Sequence, residues 1–236
     1  MISFLKIKIG VVTLLLAIVS FAQAQRYYIS RGHFDGRAGV SLPMFDFGDG
    51  DGTQLAAHAS TGFNLGGSIA YLYSRHVGVE FNLNYNRNSV NSTSLADAYL
   101  AMDTINTISA SAKAGAFSDI SGSAGLRFDL PVNEYFSFVF KMGGGLRSVY
   151  KPDANITLVT LQGTEKFSET SDNQIIFALY SSAGGKMQIR DQLYVNFAAS
   201  YMGSKINFEF AKNGIATTEN VHIGIVMLTV GVGYSF

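Results

Sequence analysis

Five charged side chains stand where an alternating chain otherwise places small or polar ones: Arg37, Glu80, Arg127, Lys141 and Lys186. Each lies in a stretch of period two, on the parity opposite the large apolar residues. Charges gathered on one enclosed face leave water behind and must be paired or solvated. The chemistry within their reach is therefore electrostatic. They are expected to form a lumen charge cluster, with Glu80 bridging at least one cation in a network that replaces an apolar core; the alternative is a gated, narrow path for ions. Three more carboxylates, Asp46, Asp49 and Asp51, sit among the glycines of Asp46-Phe47-Gly48-Asp49-Gly50-Asp51-Gly52-Thr53 and could offer oxygen ligands to calcium. No bidentate Glu follows where an EF-hand requires it, and Gly and Asp are common turn residues, so a solvated turn is favoured. His33, His58 and His76 are scattered without metal-ligand spacing. No metal, other cofactor or catalytic group is assigned.

The elements that carry these residues are strands. Phe34, Ala38, Val40 and Leu42 alternate with Asp35, Arg37, Gly39 and Ser41, and Phe63 to Tyr73 repeats the pattern. Val77, Val79, Phe81, Leu83 and Tyr85 then face Gly78, Glu80, Asn82, Asn84 and Asn86. Further strands are expected near Phe117 to Leu130, Tyr135 to Tyr150, Gln174 to Ile189, Leu193 to Met202 and His222 to Phe236, about eight in all. Short turns at Ser74 to His76, Pro131 to Glu134 and Arg190 to Gln192 alternate with long segments at Pro43 to Ser60, Arg87 to Ala116, Lys151 to Asn173 and Gly203 to Val221. Short connections on one rim and long loops on the other are what an outer-membrane barrel shows, turns periplasmic and loops outside. Strand direction then puts most of the charge cluster in the periplasmic half.

Composition narrows the class. The 236 residues carry 14% charged and 47% hydrophobic side chains, with 25 Gly, three Pro and no Cys or Trp. Disulfides and a lipid-modified cysteine are thereby excluded. Lys6 and Lys8, the apolar run Ile9 to Val19 and Ala22-Gln23-Ala24 have the three parts of a secretory signal, so cleavage is expected before Gln25. The mature domain is then 25–236, with 15 basic against 17 acidic residues and no basic footprint for nucleic acid.

Which face is buried decides between a soluble and a membrane barrel, since the first points apolar residues inward and the second points them at lipid. So many aromatic rings would not fit inside a small barrel, and the other parity is rich in Asn, Ser, Gly and charge. The fold expected is all-β, an antiparallel up-and-down transmembrane β-barrel. In the closing strand Phe236, Tyr234, Val232, Val230, Leu228 and Val226 share one face, while Ser235, Gly233, Gly231 and Thr229 share the other.

With Gly62-Phe63-Asn64-Leu65-Gly66-Gly67-Ser68-Ile69-Ala70-Tyr71 and Val77-Gly78-Val79-Glu80-Phe81 read as a hairpin, Phe34 to Phe236 resembles the small eight-stranded outer-membrane barrels. These include the OmpX and OmpW proteins, the membrane domain of OmpA and the PorT-like barrels. The resemblance implies a Gram-negative outer membrane, contact with its lipid and lipopolysaccharide, and delivery by the barrel-assembly machinery. In that family the machinery reads a terminal aromatic with apolar residues at every second position, here Phe236, Tyr234, Val232, Val230 and Leu228. The soluble peptidoglycan-binding domain of OmpA proteins is not expected. Some barrels of this scaffold modify lipid A through a His and a Ser at the outer rim; His222 and Ser204 are the residues to test for that role, as a base must reach its nucleophile. The expectation is a monomeric, non-enzymatic barrel serving envelope structure or surface interaction, with a narrow channel for ions or small solutes as the alternative.

Overall fold

The computed structural model describes residues 31–48, 55–102, 106–212 and 215–236, with the backbone alone over 207–212 and 215–220. Eight strands form the wall: β1 (Gly32–Met44), β2 (Gly62–Leu72), β3 (Val77–Ser89), β5 (Ala116–Pro131), β6 (Phe136–Lys151), β9 (Asp172–Gln188), β10 (Leu193–Lys212) and β11 (Ile215–Ser235). They close in the order β1-β11-β10-β9-β6-β5-β3-β2, each antiparallel to its neighbours. Closure leaves no open sheet edge around the ring. It is made by β1 and β11, where Gly32 and Phe236 exchange both backbone hydrogen bonds at 2.8 Å.

Period two separates the faces. Phe34, Leu65, Ile69, Phe81, Leu83, Leu126, Phe140, Leu179 and Val230 point outward and are exposed, forming a continuous apolar belt. No helix among the described residues is long and apolar enough to cross a membrane. At one rim the connections are short and locally satisfied: Asn133 Oδ1 accepts the backbone N–H groups of Tyr135 and Phe136, and Ser74 Oγ accepts that of Val77.

The other rim is more structured than its polar sequence suggests. The segment after β3 holds a helix, α1 (Ser92–Met102), and a strand, β4 (Thr107–Ala114); the segment after β6 holds β7 (Ala154–Thr160) and β8 (Gly163–Glu169). Asn91 caps α1, its Oδ1 accepting the N–H of Ser94 at 3.1 Å. Strands β4, β7 and β8 pair into a separate sheet standing above the wall. The long connection Gly203 to Val221 is largely a tall β10–β11 hairpin that extends both strands, paired as far as Lys212 and Ile215.

This roof has its own apolar core. Phe47, Leu55, Leu95, Phe117 and Ile156 meet Met202, Ile206, Ile223 and Ile225, all buried. The inward face is therefore polar only in part, because near the long-loop rim β9, β10 and β11 turn Ala178, Tyr180, Met202, Ile223, Ile225 and Met227 inward against the roof. The physical reason is local. Where loops cover the mouth, apolar burial becomes available on the lumen side too.

Candidate functional site

Charge is concentrated inside the barrel at the short-turn end, where four adjacent strands bring it together. Register sets Gly125 opposite Glu80, Gly78 opposite Arg127 and Ser137 opposite Lys186, so small residues make room for long ones, while Lys141 stands opposite Arg127 on its other side. Lys141 Nζ donates to Glu80 Oε1. Arg127 Nη1 donates to Glu80 Oε2 at 3.0 Å, and its Nε and Nη2 reach the two oxygens of Asp129 at 2.6 and 3.1 Å. Lys186 Nζ donates to Asp129 Oδ2 at 2.9 Å. Arg127, Glu80 and Asp129 are buried, and the two lysines nearly so. Arginine suits the centre, because its rigid fork serves two carboxylates at once.

Arg37 stands apart from that chain. It crosses Gly66 to donate from Nη2 to Asn82 Oδ1 at 2.8 Å and to Asn84 Oδ1 at 3.0 Å, and its Nη1 lies 3.5 Å from Asp35. A Cβ on Gly66 would fall 2.5 Å from the Asn84 oxygen, so this crossing depends on glycine. Asp35 also accepts from Ser68 Oγ at 2.6 Å. Arg37, Arg127, Lys141 and Lys186 nevertheless line one cavity of about 20 Å³, together with Ser182 and Tyr194.

A second polar layer crosses the lumen nearer the roof. Asn64 donates to Asn86, Asn86 to Asp119, and Arg147 Nη2 to Asp119 Oδ2 at 2.9 Å. The other terminal nitrogen of Arg147, Nη1, reaches Ser204 Oγ and the carbonyl of Ile223, each at 3.2 Å. This row ties β2 and β3 on one side to β10 and β11 on the other.

Four of these partners, Asp35, Asp119, Asp129 and Arg147, were not among the candidates of the sequence reading. The signal was present in the parity. Asp119 and Asp129 are an even number of residues from Arg127, Arg147 from Lys141, and Asp35 from Arg37.

The remaining candidates are placed as follows. Phe236, Tyr234, Val232, Val230 and Leu228 all face outward, and the Tyr234 phenol donates to Gln192 across the short-turn rim. Ser204 points inward beneath Arg147. His222, paired with Lys205 one position away, points outward and stacks on Phe45 at 5.0 Å. The strand backbone separates them, so they form no nucleophile and base pair. Asp46 accepts the backbone N–H of His222 at 2.9 Å, while Asp49 and Asp51 lie outside the described residues, as does the segment 1–24. His33 meets Ser235, His58 meets Ser94 and His76 meets the Asp129 carbonyl, at three separate places.

Among solved structures the chain is similar to the outer membrane protein OprG of Pseudomonas aeruginosa, at 12% identity and a TM-score of 0.50 over 88% of this chain and 97% of that one. It is also similar to Ail, the attachment invasion locus protein of Yersinia pestis, at 20% identity and a TM-score of 0.42 over 87% and 99%. Neisserial surface protein A gives 14% identity and 0.44 over 87% and 97%. No curated protein matches the sequence. The family described as outer membrane protein beta-barrel domain matches residues 11–236, nearly the whole chain. A closed eight-stranded wall, an apolar belt outside it, charge within it and that match lead to one conclusion: the chain belongs to the outer membrane protein beta-barrel domain family and resides in the outer membrane of a Gram-negative bacterium.

Proposed function

We propose that the protein is a monomeric, non-enzymatic barrel with a plugged lumen and extracellular long loops, whose role is envelope structure or surface interaction through the roof. Closure at two levels carries this reading. Buried ion pairs fill the short-turn half, and the Arg147 row with the apolar cluster above it fills the other. Eight strands enclose a space that side chains can fill, and the lower cavity of about 20 Å³ has room for a water or two. The opposite orientations of Ser204 and His222 support a role without catalysis at that rim. The apolar belt would meet membrane lipid and lipopolysaccharide, residues 1–24 would direct export, and the outward row ending at Phe236 would be read by the barrel-assembly machinery. The second reading, a narrow channel for ions or small solutes, draws on the four cations around the lower cavity. Liposomes carrying the mature protein, diluted into isosmotic arabinose, should swell no faster than protein-free ones. Swelling that scales with protein content would replace the plug with the channel.

A further inference from the structure

The chain of ion pairs at the short-turn end begins and ends on a cation. It runs Lys141, Glu80, Arg127, Asp129, Lys186, three positive groups against two negative ones, while the neighbouring Arg37 and Asp35 offset each other. Among side chains this buried a surplus charge is costly unless something compensates it. Each terminal ammonium carries three N–H donors, and one direct carboxylate contact is seen for each. Both lysines border the same cavity, whose lining comes from β1, β5, β6, β9 and β10, and there Ser182 of β9 stands directly opposite Lys141 of β6. Ser182 Oγ already accepts from Ser200 Oγ at 2.9 Å, so its own proton is available to donate. The cavity is thus lined by four cations, Arg37, Arg127, Lys141 and Lys186, and by the Ser182 hydroxyl, and it borders no carboxylate except Asp35.

We propose that this cavity binds one small monovalent anion of halide size, held between Lys141 and Lys186 and closing the row of pairs into a ring of alternating charge. Size selects the class. About 20 Å³ exceeds the roughly 10–15 Å³ that one water needs, yet does not admit a phosphate or a carboxylic acid. The proposal uses the network of the plugged-lumen reading, but an anion can be held there whether or not the barrel conducts. Swelling therefore reports on the plug and bromide reports on the anion.

Bromide is the probe. Crystals of the full mature barrel soaked in sodium bromide should give an anomalous peak within hydrogen-bond reach of both lysine nitrogens. The thermal unfolding midpoint should stand several degrees higher in bromide than in gluconate at equal ionic strength. Ser182→Asp puts a carboxylate in the cavity, and Lys141→Met removes the surplus charge; each should abolish both the peak and the bromide dependence. An intact wild-type barrel without the peak would overturn the site. So would a bromide dependence that persists in whichever of the two variants folds.

Discussion

Arg127 serves two carboxylates, Glu80 and Asp129, from one guanidinium. A methionine there would fill similar volume but leave Glu80 to Lys141 alone and Asp129 to Lys186 alone, and removing one partner of a buried pair typically costs about 3–5 kcal/mol. Arg127→Met should lower the urea midpoint of the folded barrel in detergent accordingly; adding Glu80→Gln and Asp129→Asn should lower it further, because Lys141 and Lys186 then lose their carboxylates. A double-mutant comparison in which the losses simply add would show that the contacts do not act together. The sequence revealed these charges because parity assigns each residue a face. It did not reveal their partners, since Lys141 meets Glu80 only through the stagger of β3, β5 and β6, and stagger is a property of the closed ring. Ser204 and His222 illustrate the same limit: both lie at one rim, and only the register shows them on opposite faces of the wall.

Strands were legible and the roof was not. Period two gave all eight wall strands because one face meets an apolar surrounding along the whole length, and that contrast is written in every second residue. Ala98-Tyr99-Leu100-Ala101-Met102 and Ile156-Thr157-Leu158-Val159 carry weaker patterns, because each packs only one side against the other loops. Their order comes from contacts between segments far apart in the chain, such as β4 with β7. Ile156 is buried at the centre of that packing. Ile156→Asp should place an unpaired carboxylate in the apolar roof at a cost of a few kcal/mol or more, loosening the roof while sparing the wall. Limited proteolysis should then cut within 88–115 or 152–171, with the barrel still migrating as a heat-modifiable band. Equal protease resistance in wild type and variant would mean the roof core contributes little.

At the scale of the whole molecule, an ionic layer and an apolar layer share one lumen, and the proposed plug rests on both. Ion pairs occupy the end near the short turns, and an apolar cluster occupies the end under the loops, with the Arg147 row between them. Each layer follows from its surroundings: strands alone enclose polar residues that pair, whereas strands plus a roof bury apolar side chains on the lumen side as well. An opening that led through the barrel would have to break both. Planar-bilayer recording of the purified protein, with Glu80→Ala alongside, tests this most directly. The account predicts a silent baseline for the wild type, and for Glu80→Ala as well, since the roof cluster remains in place. Reproducible unitary current steps from the wild-type barrel would contradict it.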